Sequence, residues 1–290
     1  MDDIKLEKLG AFILEDTNSM NIINGVQHLD NNSDTLPNVR HDSSSNDLLD
    51  YITIVVAREL GGLAAFKGGY MLNKLLKGDS RMTHDVDFSV KSYETYEELK
   101  RLLSNIAEKF KQAGLISDYH VKENISPTMS GGIDMYGSNG TKALGVDIGL
   151  HDIGWGVTDY TLDIAKVKGF EIERMLADKI IAILSRKRFR RAKDLYDFWA
   201  ITNIFDFDFQ KLIGYIERRG NAEWDNLPFS NEVLVQYERA WNKLVLVAPT
   251  GDTLSKPIFK EVVSKFSHIA EDLMNRRGFK KWDCKSQTLM

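Results

Sequence analysis

The stretch FKGGYMLNKLLKGDSRMTHDVDFSV, residues 66–90, decides the fold. It opens with a glycine pair, continues with a short helical stretch and ends with two aspartates one residue apart among apolar neighbours. If Val86 and its flanks form a strand, Asp85 and Asp87 project from the same face, because side chains in a strand alternate with period two. Two adjacent carboxylates repel each other, so they are typical of a site for a hard cation. Mg²⁺ is the common choice where the substrate is a phosphate ester.

The glycine pair, Gly68 and Gly69, lies just upstream of the aspartates. Without side chains, this backbone can bring its amides close to an anion at the start of the following helix. A phosphate cradle followed by a two-carboxylate metal site is the minimum equipment for moving a nucleotidyl group. An Asp-x-Asp pair alone is more often solvated surface, so the prediction depends on the order of the features along the chain.

A third carboxylate, Asp147, lies in the later apolar stretch 144–150. This stretch is predicted to be the second arm of a hairpin with residues 133–136, because Asn139-Gly140 is the strongest short hairpin signal. Asp147 sits opposite the apolar phase, so it could simply face water. It could instead complete the metal site or deprotonate an attacking hydroxyl, and we take that as the working hypothesis.

Composition limits the class of protein. The chain has 290 residues, 43% of them hydrophobic, which suits one large domain or two smaller ones with a buried core. No apolar run approaches the ~20 residues needed to cross a bilayer, and the first ten residues lack the features of a secretory signal. The single cysteine, Cys284, excludes an internal disulfide framework and a Cys-based zinc site. A cytoplasmic protein without a membrane partner is expected.

Charge is distributed unevenly along the chain. The formal net charge is −4, but residues 1–50 carry ten acidic against three basic residues, and residues 166–193 carry ten basic against three acidic. Such asymmetry suits a polyanion site on one face, although a charge run taken alone is as often a solvated helix end.

Periodicity predicts an α+β protein in three parts. Residues 1–47 form an acidic N-terminal segment and linker, residues 48–170 a small mixed sheet with flanking helices, and residues 171–290 a helical bundle. Helices are predicted over residues 45–60, 70–77, 93–113, 171–186, 192–203, 209–219, 231–246 and 256–275.

A second informative region follows the sheet. On the helix from residue 171, Lys179 and Arg186 lie on one line beside the apolar face. A lysine there must reach the rim of the core or meet an anion, because an unpaired buried ammonium is costly. Both alternatives stay open. The next helix begins with Asp194 and Asp197, where acidic side chains also favour the helix dipole. Between the helices lies a basic run suited to phosphate contacts, made of Arg186, Lys187, Arg188, Arg190, Arg191 and Lys193.

Taken together, these two regions resemble the AbiEii/AbiGii family of toxin nucleotidyltransferases, which includes the MenT toxins. The family pattern is Lys-Gly-Gly, then Arg-x-Thr/Ser-x-Asp-x-Asp, then Lys-x-x-Ala-x-x-x-Arg, then Arg-x-Lys-Asp-x-Tyr-Asp. Four matches occur in that order, namely Lys67-Gly68-Gly69, Arg81-Met-Thr83-His-Asp85-Val-Asp87, Lys179-Ile-Ile-Ala182-Ile-Leu-Ser-Arg186 and Arg191-Ala-Lys193-Asp194-Leu-Tyr196-Asp197. The resemblance spans roughly residues 48–199.

The resemblance implies a polymerase-β-like nucleotidyltransferase fold in residues 48–170, with a helical C-terminal domain that contributes Lys179 and Asp194 to the site. It implies transfer of an NMP from an NTP with Mg²⁺, as one ion or two, and a cognate antitoxin. Asp85, Asp87 and Asp147 would be catalytic and bind the metal. Lys179 would neutralise charge on the phosphates, and Asp194 would position the nucleotide or Lys179. The nucleotide would contact Lys67, Gly68, Gly69, Arg81, Thr83 and Arg186. The acceptor, expected to be RNA and by resemblance a tRNA 3′ end, would contact Lys187, Arg188, Arg190, Arg191 and Lys193.

One departure and two alternatives accompany this assignment. Tyr70 follows the glycine pair where the wider superfamily has serine, so phosphate contact would depend on backbone amides and on Lys67 or Arg81. A non-catalytic nucleic-acid-binding protein on a degenerate nucleotidyltransferase fold is one alternative, but such a protein has no use for paired carboxylates near phosphate. An NTP-dependent phosphotransferase is the other, and no kinase signature supports it.

Overall fold

The computed structural model describes residues 44–77, 80–122, 130–185, 191–220, 222–227, 229–248, 251–275 and 281–289. The chain divides into two compact units. Among these residues, the first unit is drawn from Met1–Tyr70, Thr83–Gly154 and Asp159–Gly169, and the second from Met71–Met82, Trp155–Thr158 and Phe170–Met290. The chain therefore passes between the units several times. The simpler boundaries derived from the sequence, after residues 47 and 170, stay a prediction.

The first unit contains most of a seven-stranded mixed sheet, in the order β3-β4-β5-β2-β1-β7-β6. Its strands are β1 Ala64–Lys67, β2 Asp85–Val90, β3 Asp118–Lys122, β4 Ser130–Tyr136, β5 Lys142–Leu150, β6 Val157–Thr161 and β7 Lys166–Phe170. β2 pairs antiparallel with β1 and parallel with β5, and β5 pairs antiparallel with β4. The central strands thus bring together segments that are far apart in sequence.

Two helices cover the apolar face of this sheet, α1 at Ser44–Leu60 and α3 at Tyr93–Gln112. Val86, Phe88 and Val146 are fully buried on that face, and burial of each such side chain stabilises the fold by about 1.5–3 kcal/mol. The Ser92 hydroxyl accepts the Thr95 amide hydrogen and so caps the start of α3. The short helix α2, Gly68–Leu75, follows β1 directly.

The second unit is mainly helical. Its helices are α4 Ile172–Leu184, α5 Ala192–Ile204, α6 Phe209–Arg219, α7 Asn231–Lys243 and α8 Phe259–Met274. They enclose a core that includes Leu176, Ile180, Phe198, Phe266 and Trp282. A small sheet, in the order β10-β9-β8, joins β8 Phe207–Asp208, β9 Lys281–Asp283 and β10 Thr288–Leu289. In the part of the chain that the structure describes, no helix is long and apolar enough to span a membrane.

The predicted α+β class, with a mixed sheet followed by a helical region, is confirmed. The structure adds elements that periodicity did not predict. β3 is an edge strand of sequence DYHVK. Only Tyr119 and Val121 alternate with its polar residues, which is too short a pattern to predict a strand. β8, β9 and β10 are two or three residues long, which is too short for any period to be recognised.

Candidate functional site

Three aspartates of the first unit share one face of the sheet. In the parallel pairing of β2 with β5, Asp87 lies opposite Asp147, and Asp85 lies opposite Gly145. Paired residues of neighbouring strands project to the same side, so Asp85, Asp87 and Asp147 all point away from the face that buries Val86. The side chains of Asp85 and Asp147 are 43% and 50% exposed. A ligand can therefore reach them.

Gly68 lies directly against one of these carboxylates. It has a φ of +75°, and a Cβ at this position would overlap the carboxylate of Asp87. The residue before it, Lys67, pairs with Asp87 across β1 and β2. The predicted glycine pair thus lies beside the predicted carboxylates, with Gly68 and Gly69 opening α2. Only glycine satisfies both the backbone conformation and the close approach at position 68.

Two lysines contact the carboxylates. Lys142 Nζ lies 2.7 Å from Asp85 Oδ1 and 2.8 Å from Asp134 Oδ1. Lys122 Nζ contacts Asp147 Oδ1 and lies 3.2 Å from Asp134 Oδ1. Burial alone would lower the pKa of Lys142, but its contacts with Asp134 and Asp85 outweigh burial and hold that pKa above its ordinary value. Burial acts in the opposite sense on Asp134, whose pKa the two lysines hold below its ordinary value.

Sequence reasoning missed Lys122, Lys142 and Asp134. Asp134 alternates along β4 with the buried Ile133 and Met135, so it lies on the face of Asp85, directly opposite Gly145. A glycine within a strand often marks a close approach of another group. Gly132 and Gly145 were therefore the available signal. The lysines themselves carry none, because their partners depend on a strand register that the sequence does not reveal.

The three aspartates suit a divalent cation in their chemistry. Carboxylate oxygens are the ligands that Mg²⁺ prefers, and Asp85, Asp87 and Asp147 lie on one face in adjacent positions. Among the described residues, no group of three or more His, Cys, Asp or Glu side chains is close enough to form a ready-made metal site. These residues fit Mg²⁺ by donor type and common face, and the lysine contacts occupy some of the oxygens it would use.

A buried ionic cluster lies in the second unit. Arg81 donates to both oxygens of Asp197, from Nε at 2.9 Å and from an η nitrogen at 2.8 Å. Lys179 on α4 donates to Asp197 at 2.7 Å and to Asp194 at 3.0 Å, both on α5. The side chain of Asp197 is 2% exposed. Arg191 extends the cluster by donating to the second oxygen of Asp194 at 3.4 Å.

In this cluster, the opposite charges of neighbouring groups stabilise the charged forms of Lys179 and Asp197. Burial would lower the pKa of Lys179, but the negative charges of Asp197 and Asp194 outweigh burial and hold the pKa above its ordinary value. Burial would raise the pKa of Asp197, but the positive charges of Lys179 and Arg81 hold it below its ordinary value. Lys179 and Asp197 are therefore both charged at neutral pH.

The structure places the remaining predicted residues as follows. Lys179 meets anions of its own chain, so the alternative of a rim lysine does not describe it. Arg81 pairs with Asp197, and Thr83 Oγ1 accepts the amide hydrogen of Asp85 at 3.3 Å. Lys193 is exposed at the start of α5. The predicted residues Arg186, Lys187, Arg188 and Arg190 lie outside the described residues.

Asp197 is the residue of this cluster to which the sequence assigned only a helix-dipole role. Its neighbours Tyr196, Phe198 and Ile201 are buried, so the side chain lies on an apolar part of α5. A carboxylate at such a position needs a cationic partner. That requirement was the available signal, but it does not identify Arg81, which is 116 residues earlier.

Comparison with known proteins supports this fold. A family model described as nucleotidyl transferase AbiEii toxin, type IV TA system, matches residues 54–265. The chain is similar to MenT4, a nucleotidyltransferase toxin from Mycobacterium tuberculosis H37Rv, at 15% identity and a TM-score of 0.51 over 80% of this chain and 86% of that chain. It is also similar to JHP933 from Helicobacter pylori, at 14% identity and a TM-score of 0.50 over 80% of this chain and 91% of that chain. No match was found among the curated proteins.

These structural likenesses show the fold, and the family model identifies the lineage. Its match extends from α1 into α8 and includes every motif on which the resemblance was based. Since it spans well over half of the sequence, the chain belongs to the AbiEii family of nucleotidyltransferase toxins.

Proposed function

We propose that this toxin transfers a nucleoside monophosphate from an NTP to a hydroxyl group of an RNA acceptor, with a tRNA 3′ end as the expected acceptor. The observation that carries the proposal is the register of β2 and β5, which sets Asp147 beside Asp87 on the face that also presents Asp85. Three carboxylates on one exposed face have little use in a protein that only binds nucleic acid, because they repel phosphate.

The reaction assigns a role to each carboxylate. The acceptor hydroxyl oxygen forms a bond to the α-phosphorus, the bond from that phosphorus to the bridging oxygen breaks, and pyrophosphate leaves. Asp85 and Asp87 would hold Mg²⁺, which when bound would neutralise phosphate charge and orient the leaving group. Asp147 would accept the hydroxyl proton or serve as a further ligand. The amides at Gly68 and Gly69 would contact a phosphate at the start of α2.

Lys179 of the second unit would neutralise negative charge on the nucleotide phosphates. Its ammonium has three N–H donors, and Asp194 and Asp197 accept two of them, so one donor is left for a phosphate oxygen. The two aspartates fix the direction of the side chain and keep it charged. In this role Asp194 and Asp197 are positioning residues, and Arg81 holds Asp197 in place.

Labelled nucleotides test the reaction class directly. Purified toxin would be incubated with total RNA and each NTP in turn, labelled at the α- or the γ-phosphate. We expect the α-label alone to enter RNA, and Asp87→Asn to abolish the transfer. Entry of the γ-label would establish a phosphotransferase instead. Binding of RNA without entry of either label would favour the non-catalytic alternative.

The basic run next to α5 is proposed to bind the acceptor rather than the nucleotide. An NTP has three phosphates, which Lys179 and a metal already largely neutralise, and the six bases from residue 186 to residue 193 exceed that need. The excess suits an extended phosphate backbone. A variant with Lys187, Arg188 and Arg190 changed to glutamine should bind RNA more weakly and with a flatter salt dependence. Its NTP affinity should stay the same. Equal loss of both affinities would assign the run to the nucleotide.

The family implies a cognate antitoxin, and we propose that the toxin acts in the cytoplasm, where NTPs and tRNA are found. Expression of the wild-type chain should slow growth of a host cell, and co-expression of the neighbouring antitoxin gene should restore growth. Lys179→Ala should be tolerated at equal protein level. Growth inhibition by the Lys179→Ala variant equal to that by its parent would remove Lys179 from the proposed site.

A further inference from the structure

We propose that Lys122, Lys142 and Asp134 form a lysine latch, in which the two ammonium groups compete with the metal for the carboxylates and then transfer to the nucleotide phosphates. By this mechanism the metal would bind weakly alone and tightly together with the NTP. The inference rests on the proposed function, which it deepens by assigning roles to three residues outside the family motifs.

The first element of the latch is a row of three residues across β2, β5 and β4. Asp85, Gly145 and Asp134 are consecutive partners in the register of these strands. Lys142 enters β5 three residues before Gly145, and its ammonium bridges the two outer carboxylates at 2.7 and 2.8 Å. A Cβ on Gly145 would lie 2.5 Å from Lys142 Nζ. The glycine therefore leaves the space that the lysine occupies.

The next row along the sheet also contains a glycine and a lysine, and its lysine belongs to the edge strand β3. Asp87, Asp147, Gly132 and Lys122 are consecutive partners across β2, β5, β4 and β3. Lys122 reaches over Gly132 to contact Asp147. Gly132 has a φ of +145°, and a Cβ there would overlap the Val146 carbonyl oxygen. Gly145 thus leaves room for Lys142, whereas Gly132 is required by its backbone conformation and its close approach to Val146.

Both lysines contact carboxylate oxygens of the proposed metal ligands. Lys142 lies against Asp85 Oδ1 and Lys122 against Asp147 Oδ1. A Mg²⁺ ion binds such oxygens at about 2.0–2.1 Å, which would bring it close to an ammonium of the same sign. Repulsion between the like charges would therefore favour withdrawal of the lysines when the metal enters. They are partly exposed and have flexible stems, so withdrawal needs no change in the sheet.

After withdrawal from the metal ligands, the two lysines would stay paired with Asp134. It contacts both ammonium groups but belongs to β4, outside the proposed metal ligands. The four aspartates and the two latch lysines sum to −2, and Lys67, which pairs with Asp87 on the same face, brings the sum to −1. Mg²⁺ alone would therefore make this group of side chains positive. An NTP carries about four negative charges, and the displaced lysines would then meet its phosphates. The charge balance thus favours joint entry of metal and nucleotide.

Metal and nucleotide affinities measured separately test the latch. The probes are Mn²⁺, followed by its free EPR signal, and a non-hydrolysable α,β-methylene NTP in the presence of Mn²⁺. The variants are Lys142→Gln and Lys122→Gln in the full chain. Lys166→Gln is the matched control, because Lys166 is an exposed lysine on β7 of the same sheet, outside the two rows.

We expect opposite signs for the two probes. Each latch variant should bind Mn²⁺ alone about three- to tenfold more tightly, because the competing charge is gone, and should bind the nucleotide analogue more weakly by a similar factor. Lys166→Gln should change neither. An unchanged or weaker Mn²⁺ affinity in both latch variants would overturn the proposal.

The same titrations separate failure of the latch from failure of the proposed function. If the wild type binds Mn²⁺ with the analogue and Asp87→Asn does not, the metal site stands, and equality of the latch variants with Lys166→Gln removes the latch alone. If the wild type binds no Mn²⁺ under either condition, both proposals fall. Asp134→Asn gives an independent check, because loss of the anchor should weaken binding of the analogue as the lysine variants do.

Discussion

Replacement of Asp197 by asparagine should destabilise the second unit more than any other single neutralisation in the cluster. Asp197 is 2% exposed and accepts two hydrogen bonds from Arg81 and one from Lys179. Asparagine keeps the shape but leaves two buried cations without their shared anion. Breaking a buried ion pair by removing one partner costs about 3–5 kcal/mol, so we expect a loss of stability in that range. At about 2–4 °C per kcal/mol, the Tm should fall by roughly 6–20 °C.

Intrinsic fluorescence is the suitable assay, because all five tryptophans of the chain belong to the second unit. Urea and thermal unfolding of the wild type would be compared with Asp197→Asn and with Asp194→Asn. The side chain of Asp194 is 14% exposed and is paired partly at the surface, so its neutralisation should cost about 1 kcal/mol. Equal losses for the two variants would refute the argument that burial of Asp197 sets the magnitude.

The pH dependence of unfolding stability, compared between wild type and Asp197→Asn, gives a second measurement. The pKa of Asp197 in the folded protein is held below its ordinary value of 3.8. The stabilisation is therefore fully present above the unfolded pKa and is lost as pH falls through the lower folded value. The stability difference between wild type and Asp197→Asn should be constant near neutral pH and should shrink below about pH 4. A difference that grows on acidification would contradict the assigned direction.

Three further predictions concern Gly68, Lys265 and Lys179. Gly68→Ala should lower the free energy of unfolding by about 1–3 kcal/mol, because of the positive φ. It should also abolish transfer, because the new methyl group would displace the carboxylate of Asp87. Wild-type activity in a folded variant would contradict the close contact. Lys265, over the ring of Trp199, has its pKa lowered by burial to about 8, so wild-type stability should rise between about pH 8 and 10.5. Lys265→Met should remove that rise in urea unfolding. Lys179→Arg should retain the ion pairs in part and lose transfer activity, because a planar guanidinium cannot reproduce an ammonium's contacts; full turnover would show that only charge matters there.

The parts of the site that were predicted from sequence are those whose geometry is local. The relation of Asp85 to Asp87 follows from the two-residue period of a strand, and the beginning of α2 follows from the glycine pair. The contacts of Lys122 and Lys142 depend instead on the pairing of strands that are separate in sequence, and several registers are compatible with the same pattern of residues. The partnership of Arg81 with Asp197 is invisible for the same reason, since a helix-terminal aspartate has a sufficient local explanation.

The parallel pairing of β2 with β5 has a consequence for synthesis of the toxin. Asp87 and Asp147 are 60 positions apart, and they become neighbours only when β5 has been made and has joined the sheet. Parallel pairing of distant segments is slow, because the intervening chain must first be ordered. A nascent or prematurely terminated polypeptide that ends before β5 therefore carries Asp85 and Asp87 without their third companion. Translation products of the toxin gene that end before β5 therefore lack the third carboxylate. The complete set is present only on chains extended past β5.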